Sequence, residues 1–161
     1  MVFANLFFLC LFFPLNLAFY YSSRSLTYRN AVLVAFSLFF YAWGEPVWIT
    51  LLLFSAAIDY FHGLYAEKYR GTPKAKRAVI SSLVLNLGLL GIFKYSGFLV
   101  STINSLLGLS LPVPGFSLPI GISFYTFQTL SYIIDVYKGV VPVQKNFVSF
   151  GAYVTMFPQL I

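Results

Sequence analysis

Charged side chains are scarce in this sequence. They make up 9% of its 161 residues, whereas hydrophobic residues make up 60%. A soluble domain usually carries roughly 25% charged residues, because its surface must be hydrated. The composition therefore excludes an ordinary water-soluble globular protein. The net charge of +6 does not indicate nucleic-acid binding, because the basic residues lie in the gaps between apolar segments.

Cysteine and histidine each occur once in the chain. Cys10 lies within an apolar segment, and a single cysteine excludes an internal disulfide framework. His62 must serve any histidine-based chemistry that takes place within these residues. We see no internal repeat and no low-complexity linker. We predict neither a metal site nor a bound cofactor.

Long apolar runs are present instead, and they predict an all-α fold, a polytopic transmembrane helical bundle embedded in the lipid bilayer. A helix needs about 20 apolar residues to cross roughly 30 Å of hydrocarbon. Five runs are predicted to be spans, and a sixth begins near the end: residues 2–21, 30–43, 47–66, 78–107, 118–137 and 147–161. The fourth run exceeds one crossing, so we expect it to be tilted, broken or continued by an interfacial segment.

The first run also has the length of a signal peptide. However, no basic residue precedes its apolar stretch and no small-x-small cleavage site follows it. A retained helix is therefore favoured. Pro14 is expected to kink this helix, because membrane helices tolerate proline.

Basic residues occur in alternate connections between the predicted spans. They are Arg24 and Arg29 in the first connection, Lys68, Arg70, Lys74, Lys76 and Arg77 in the third, and Lys138 and Lys145 in the fifth. The positive-inside rule places these connections in the cytoplasm. We therefore predict a multi-pass protein of the inner (cytoplasmic) membrane, with its amino terminus and residues 108–118 outside.

Ionisable residues within the predicted spans need an explanation, because each costs about 2.5–3.5 kcal/mol at the bilayer centre. Asp59 and His62 share one helical face. They are either a proton-handling pair or, as we favour, two side chains that hydrogen-bond to each other near the headgroups. Lys94 is expected to snorkel to the outer interface; the alternative is a buried partner for Asp59 or Asp135.

The fifth run carries a polar arc. One side of the predicted helix carries Gln128, Ser131, Tyr132 and Asp135. Polar side chains such as these are unfavourable where a helix faces lipid. They should face protein or water. Asp135 lies at the predicted cytoplasmic end of the helix. Three roles stay open for it: an interfacial anchor, a partner for Lys138, or a residue of the catalytic core. Together with Asp59, the four residues of the arc are our candidate channel-lining residues.

Three segments give the chain a resemblance to a known family. Residues 119–128, Pro-Ile-Gly-Ile-Ser-Phe-Tyr-Thr-Phe-Gln, and residues 131–137, Ser-Tyr-Ile-Ile-Asp-Val-Tyr, resemble the hallmark helix of the membrane-bound O-acyltransferase family. The similarity is greatest to the branch that contains alginate O-acetyltransferases and the D-alanyl transfer protein of teichoic acid. Residues 41–46 (Tyr-Ala-Trp-Gly-Glu-Pro) and 156–161 (Met-Phe-Pro-Gln-Leu-Ile) look like two further landmarks in the expected order.

The resemblance implies a helical bundle around a buried channel. Such proteins pass an acyl group from a cytoplasmic thioester of coenzyme A or of a carrier protein, for example acetyl-CoA, to an acceptor such as a cell-envelope or exported polysaccharide. They commonly work with a periplasmic or extracellular acyltransferase partner. The catalytic histidine of the family lies downstream of the Phe157–Leu160 landmark, and His62 does not match it. We therefore name no catalytic residue and expect residues 1–161, the amino-terminal part of one transmembrane acyltransferase domain, to be inactive alone.

Three other functions stay open at this point. D-alanyl transfer to teichoic acid fits the same family resemblance. A small transporter would use Asp59, Lys94 and Asp135 as a charge relay, although transporters usually show internal repeats. A non-catalytic membrane subunit would fold without doing chemistry.

Overall fold

The computed structural model describes residues 5–115 and 118–160 of the chain. Every regular element in this part is helical, which confirms the all-α class. A π turn, Phe8–Phe12, leads into the first α-helix. The elements that follow are α1 (Phe13–Tyr21), α2 (Leu26–Gly44), α3 (Ile49–Lys68), α4 (Pro73–Leu90), a second π turn (Gly91–Tyr95), α5 (Ser96–Leu107), α6 (Ile122–Lys138), α7 (Phe147–Thr155) and α8 (Phe157–Leu160).

The surface of the bundle is apolar, as a membrane protein requires. Within the described residues, the helical segments Ile49–Lys68 and Pro73–Leu107 are each long and apolar enough to cross a membrane, and Phe8–Tyr21 is a shorter apolar helix. Large side chains of α4 and α5 point outward, with Leu106 78% and Phe98 67% exposed. Contiguous exposed apolar surface of this kind suits lipid rather than water. The prediction of a membrane bundle is confirmed.

The basic connections lie together at one end of the bundle. The Arg70 guanidinium donates a 2.7 Å hydrogen bond to the carbonyl oxygen of Val136, which links the α3–α4 turn to the end of α6. Near the start of α2, the Asn30 side chain donates to the Ser149 hydroxyl of α7 over 3.0 Å. The first, third and fifth connections therefore share one end, which is what alternating crossings predict.

Helix α6 lies at the centre of the packing, against both α3 and α4, while α2 packs against α7. The largest buried cluster joins these elements through Tyr41, Leu52, Ala56, Tyr60, Leu90, Ile122, Tyr125, Phe150 and Val154. A second cluster of four aromatic rings, Phe8, Phe12, Phe40 and Phe157, ties the first π turn to α2 and α8. The hallmark segment thus forms the core of the fold rather than its periphery.

The connection predicted between the third and fourth runs, residues 67–77, is shorter than predicted, and both of its predicted ends are wrong. Helix α3 continues to Lys68, and α4 begins at Pro73. Thr72 is extended, with φ −111° and ψ 158°, and proline is favoured in the first turn of a helix because no N–H is needed there. Lys74, Lys76 and Arg77 therefore lie on α4 and not in a loop.

The fourth apolar run is continuous rather than broken. Helix α4, the second π turn and α5 form one helical segment of 35 residues, Pro73–Leu107. At 1.5 Å per residue this segment is roughly 52 Å long. The length exceeds one bilayer core, so a tilted helix and an interfacial continuation both stay open among the predicted alternatives.

The fifth and sixth runs begin or end differently from the prediction. Pro119 lies in a turn before α6 and not in its first turn, and Gly121 adopts a φ of 76° at the helix start. Helix α7 stops at Thr155, because Met156 is extended with ψ 111°. A helix continued through Pro158 would lose a hydrogen bond and clash with the preceding turn. Residues 2–4 and Ile161, which the first and sixth runs include, lie outside the described residues.

A π turn lies directly before Pro14, which was predicted to kink the first helix. The π turn Phe8–Phe12 precedes it, and the amide of Phe13 donates to the carbonyl oxygen of Phe8, five residues earlier. Pro14 lies directly after this π turn, in the first turn of α1. Local π geometry of this kind satisfies backbone groups that proline frees in membrane helices.

Candidate functional site

The hallmark segment consists of a turn followed by α6. Pro119 is buried, and the amide of Ile122 donates to its carbonyl oxygen over 3.3 Å. The Tyr41 hydroxyl at the end of α2 donates to the carbonyl oxygen of Ile120 over 2.9 Å. Because the left-handed φ of Gly121 is one that glycine adopts readily, the chain can turn sharply into the helix there. Two family landmarks, residues 41–46 and 119–128, are therefore in direct contact.

Helix α6 buries one face and leaves its polar arc beside α7. The buried face is Ile122, Tyr125, Thr126, Thr129, Leu130, Ile133 and Val136. Three residues of the predicted arc, Gln128, Tyr132 and Asp135, are half-buried. They lie where α6 meets α7 and the connection before it.

A cavity of about 320 Å³ lies at this meeting point. Its lining is Tyr132, Asp135, Val141, Pro142, Gln144, Ser149, Phe150 and Tyr153. The Tyr132 hydroxyl accepts a 2.8 Å hydrogen bond from the amide of Gln144, which holds the connection against α6. The Tyr60 hydroxyl of α3 donates to the carbonyl oxygen of Lys145 in the same connection. The cavity is thus at the end of the bundle that carries the basic connections.

The structure separates the five candidate residues. Tyr132 and Asp135 line the cavity together. Gln128 reaches its edge, since the side-chain amide donates to the carbonyl oxygen of Tyr153 over 2.8 Å. Its Oε1 oxygen is buried and has no hydrogen-bond partner among the described residues. Ser131 is exposed and donates to the carbonyl oxygen of Gln128 in its own helix.

Asp59 belongs to a different group, a buried polar cluster between α3 and α4. Its carboxylate is 0% exposed and accepts hydrogen bonds from the Ser82 hydroxyl at 2.7 Å and the Asn86 amide at 2.8 Å. The Ser55 hydroxyl donates to the Asn86 oxygen over 2.9 Å. Sequence reasoning did not include Ser82 and Asn86, although polar residues four apart in an apolar helix share a face and were the available signal.

The expected hydrogen bond between Asp59 and His62 is wrong. The His62 Nδ1 atom lies 2.8 Å from the carbonyl oxygen of Ile58, and its Nε2 atom lies 3.2 Å from the Ser81 hydroxyl. Asp59 takes its partners from α4 instead. His62 lines a separate recess with Phe61, Tyr65, Ala78 and Ser81. The only histidine of the chain therefore does not line the cavity beside α6.

Lys94 and Asp135 lie at opposite ends of α6. The Lys94 ammonium donates to the Ser123 hydroxyl in the first turn of that helix over 3.2 Å. Asp135 lies in its last turn and, within the described part of the chain, makes no ion pair with Lys138. Asp59, Lys94 and Asp135 therefore do not form the contiguous charge relay that a transporter was expected to use.

The cavity contains groups that can bind a polar ligand. Tyr132, Gln144 and Tyr153 offer hydrogen-bonding groups, and Asp135 supplies the one carboxylate of the lining. Across residues 5–115 and 118–160, no group of three or more His, Cys, Asp or Glu side chains is close enough to hold a metal ion. The cavity can therefore hold and orient a polar ligand, but no imidazole is present to act as a base.

Comparison with known proteins gives close relatives. A protein of Azotobacter vinelandii named "probable alginate O-acetylase" is 42% identical over 100% of this chain and 33% of its own length. One of the same name from Pseudomonas aeruginosa is 41% identical, over 100% of the chain and 32% of the relative. The peptidoglycan O-acetyltransferase of Helicobacter pylori is 29% identical over 80% of the chain and 29% of its own length.

The chain spans about a third of the length of the curated relatives it matches. No family model matches it, and no solved structure matches it. An alignment that covers 100% of the chain at about 40% identity is nevertheless evidence of common descent. The chain belongs to the membrane-bound O-acyltransferase family.

Proposed function

We propose that this chain forms part of a membrane O-acetyltransferase, which moves an acetyl group from a cytoplasmic thioester to a hydroxyl of a cell-envelope or exported polysaccharide such as alginate. The observation that carries the proposal is identity of about 40% over the whole chain with proteins named alginate O-acetylase. The relatives reported above favour acetyl transfer over D-alanyl transfer. Peptidoglycan is the second candidate acceptor, favoured by the Helicobacter relative.

The reaction makes specific demands on the protein. The acceptor hydroxyl attacks the thioester carbonyl, a base removes the hydroxyl proton, and the thiolate leaves with the acetyl group transferred. Hydrogen-bond donors must stabilise the oxyanion as it develops. The cavity beside α6 supplies binding groups, and His62 lies elsewhere. We therefore propose that these 161 residues build the scaffold and one end of the channel, and that they do not catalyse transfer alone.

The proposed orientation follows from charge. The connections with basic residues gather at one end of the bundle, and the positive-inside rule favours the cytoplasm for that end. The amino terminus and residues 108–118 are then outside an inner membrane. The cavity with Tyr132 and Asp135 then opens on the donor side. The donor is acetyl-CoA or a carrier-protein thioester, and a periplasmic or extracellular acyltransferase is the expected partner.

Radiolabelled acetyl transfer in membranes tests the proposal. Membranes that contain the intact protein should move label from acetyl-CoA, or from an acetylated carrier protein, to a polysaccharide acceptor. Membranes that contain only the 161-residue segment should not. Transfer of D-alanine but not acetyl, or no transfer from any thioester, would contradict the proposed reaction. Turnover by the short segment would contradict the role assigned to it.

A further inference from the structure

We propose that a cavity between α1, α2 and α8 binds a phospholipid, with an acyl chain in the cavity, an ester carbonyl on Asn16 and the phosphate on Arg29. The inference goes beyond the proposed acetyl transfer and does not depend on it. The cavity has a volume of about 210 Å³, enough for part of one acyl chain. Helix α1 packs mainly against α2, so the cavity lies at the edge of the bundle, where lipid reaches it.

Asn16 is the buried polar side chain of this cavity. It lines the cavity and is only 5% exposed. Its Oδ1 atom is buried without a hydrogen-bond partner, and its N–H groups have no partner within residues 5–115 and 118–160. An amide that is removed from water is costly unless it is hydrogen-bonded. A ligand that pairs with this amide inside the cavity removes that cost.

The apolar part of the lining favours an acyl chain over water as the occupant. Phe13, Leu17, Leu33 and Met156 contribute apolar surface to the cavity. A buried water needs about two to four polar partners, and besides the amide the side chains of the lining offer only two tyrosine hydroxyls. The ester carbonyl of a phospholipid accepts one hydrogen bond from an amide N–H and is joined to an apolar chain. Such a group therefore satisfies Asn16 and fills the apolar space beside it.

A cation lies close to the cavity, at the end of α1. Tyr20 follows Asn16 by four residues, about 6 Å along the helix, and also lines the cavity. The Arg29 guanidinium lies 5.1 Å from the centroid of the Tyr20 ring and 5.8 Å from that of the Tyr21 ring. Its Nε atom donates a 2.9 Å hydrogen bond to the carbonyl oxygen of Ser23. These contacts hold the cation beside two rings of the cavity wall.

The charge of Arg29 is available to an anion. A guanidinium has five N–H donors, and the bond to Ser23 uses one of them. No carboxylate pairs with Arg29 in the described parts of the chain. Arginine binds phosphate through two parallel hydrogen bonds. Phosphate, ester and acyl chain follow one another in a phospholipid in the same order as Arg29, Asn16 and the apolar lining follow one another along α1.

The test titrates lipids into the intact protein in detergent micelles and measures bound lipid by native mass spectrometry. The probes are phosphatidylglycerol, diacylglycerol with the same acyl chains, and glycerol phosphate, which has the phosphate without the chains. Phosphatidylglycerol should bind most tightly, and glycerol phosphate should not bind. Arg29→Met should weaken phosphatidylglycerol about tenfold and leave diacylglycerol unchanged, because only the phosphate contact is lost. Asn16→Leu should weaken both lipids about fivefold, because both carry the ester.

Arg24→Met is the matched control, since it removes the same charge from an exposed position in the same connection. It should change neither affinity. An equal loss with Arg24→Met and Arg29→Met would overturn the proposal in favour of a general attraction between basic residues and anionic lipid. Tighter binding of glycerol phosphate than of phosphatidylglycerol would overturn it in favour of a site for free phosphate.

Unfolding midpoints in lipid-free detergent separate the lipid site from a structural role of Asn16. Asn16→Leu should not lower the midpoint, because the amide has no protein partner to lose. A lower midpoint with unchanged lipid affinity would overturn the proposal, since Asn16 would then pair with another part of the intact protein. Unchanged lipid affinity in both Asn16→Leu and Arg29→Met would overturn it directly.

Discussion

The Tyr41 hydroxyl donates a 2.9 Å hydrogen bond to the carbonyl oxygen of Ile120, 79 residues further along the chain. It joins the end of α2 to the turn that precedes α6. Both residues belong to landmark segments, and the third landmark meets α2 as well, through a 3.2 Å hydrogen bond from the amide of Phe157 to the Ser37 hydroxyl. Helix α2 is therefore the element that aligns the three segments.

Loss of the Tyr41 hydroxyl should loosen this alignment. Tyr41 is 3% exposed, and Tyr41→Phe removes the donor that its hydroxyl provides to the carbonyl oxygen of Ile120. We expect a loss of about 1 kcal/mol in stability, measured as a lower unfolding midpoint in detergent. Tyr28→Phe is the control, because that hydroxyl pairs with Ser22 at the exposed start of α2. Equal midpoints for the two variants would show that the Tyr41 bond contributes nothing.

The cluster around Asp59 should be the most sensitive polar group in the bundle. Asn86→Leu removes the amide that donates to both carboxylate oxygens, at 2.8 and 3.0 Å. We expect destabilisation of about 1–3 kcal/mol, because the buried carboxyl group loses one of its hydrogen-bond donors. The double variant Asp59→Leu with Asn86→Leu should be less destabilised than the sum of the single variants.

Detergent unfolding of the four proteins in that cycle gives the coupling energy. Ser101→Ala is the control, because its exposed hydroxyl bonds only to its own helix. Strictly additive single and double variants would mean that Asp59 and Asn86 do not depend on each other. In that case the cluster is not the unit that the hydrogen bonds suggest.

The length and apolarity of each run were enough to predict the helices, but not where they end. The end of α7 depends on Pro158, whose missing N–H and ring geometry stop the helix two residues earlier, at Met156. The start of α6 depends on the positive φ of Gly121. The boundaries therefore depend on single residues inside apolar runs, where the average hydrophobicity carries no such information.

Helical spacing predicted part of the candidate site. Tyr132 and Asp135, three residues apart, do share a face and line one cavity. The opposite wall, which includes Val141 and Gln144, belongs to a connection without periodicity. The spacing of Asp59 and His62 was equally suggestive, yet each side chain finds a closer partner elsewhere, which only tertiary packing decides.

A side chain at position 139 is predicted to destabilise the protein. The φ of Gly139 is +79°, and an added Cβ would lie 3.3 Å from Nη1 of Arg70, which also caps the end of α6. Gly139→Ala should lower stability by about 1–2 kcal/mol, the cost of the left-handed conformation. Gly44→Ala is the control, because nothing lies within 4 Å of its added Cβ and its φ is not positive. Equal unfolding midpoints for both variants would contradict the expectation.

The proposed orientation predicts which cysteines react from outside the cell. In a Cys10→Ser background, Gly115→Cys lies in the connection before α6 and Lys76→Cys lies near the start of α4; both positions are exposed. A membrane-impermeant maleimide should label the first in intact spheroplasts and the second only after permeabilisation. The reverse pattern would place the amino terminus in the cytoplasm.

The cavity beside α6 predicts unequal effects within the polar arc. Asp135→Asn removes the only carboxylate of the lining, and Tyr132→Phe removes the acceptor for the Gln144 amide. Each change should reduce acetyl transfer by the intact protein about tenfold, because a charged or fixed hydrogen bond contributes about 1.5 kcal/mol. Ser131→Ala should have little effect, since Ser131 is exposed and bonds to its own helix. Initial rates at varied acetyl-donor concentration, at matched protein levels, provide the measurement. A loss with Ser131→Ala as large as with Asp135→Asn would mean that the channel follows the outer side of the arc and not this cavity.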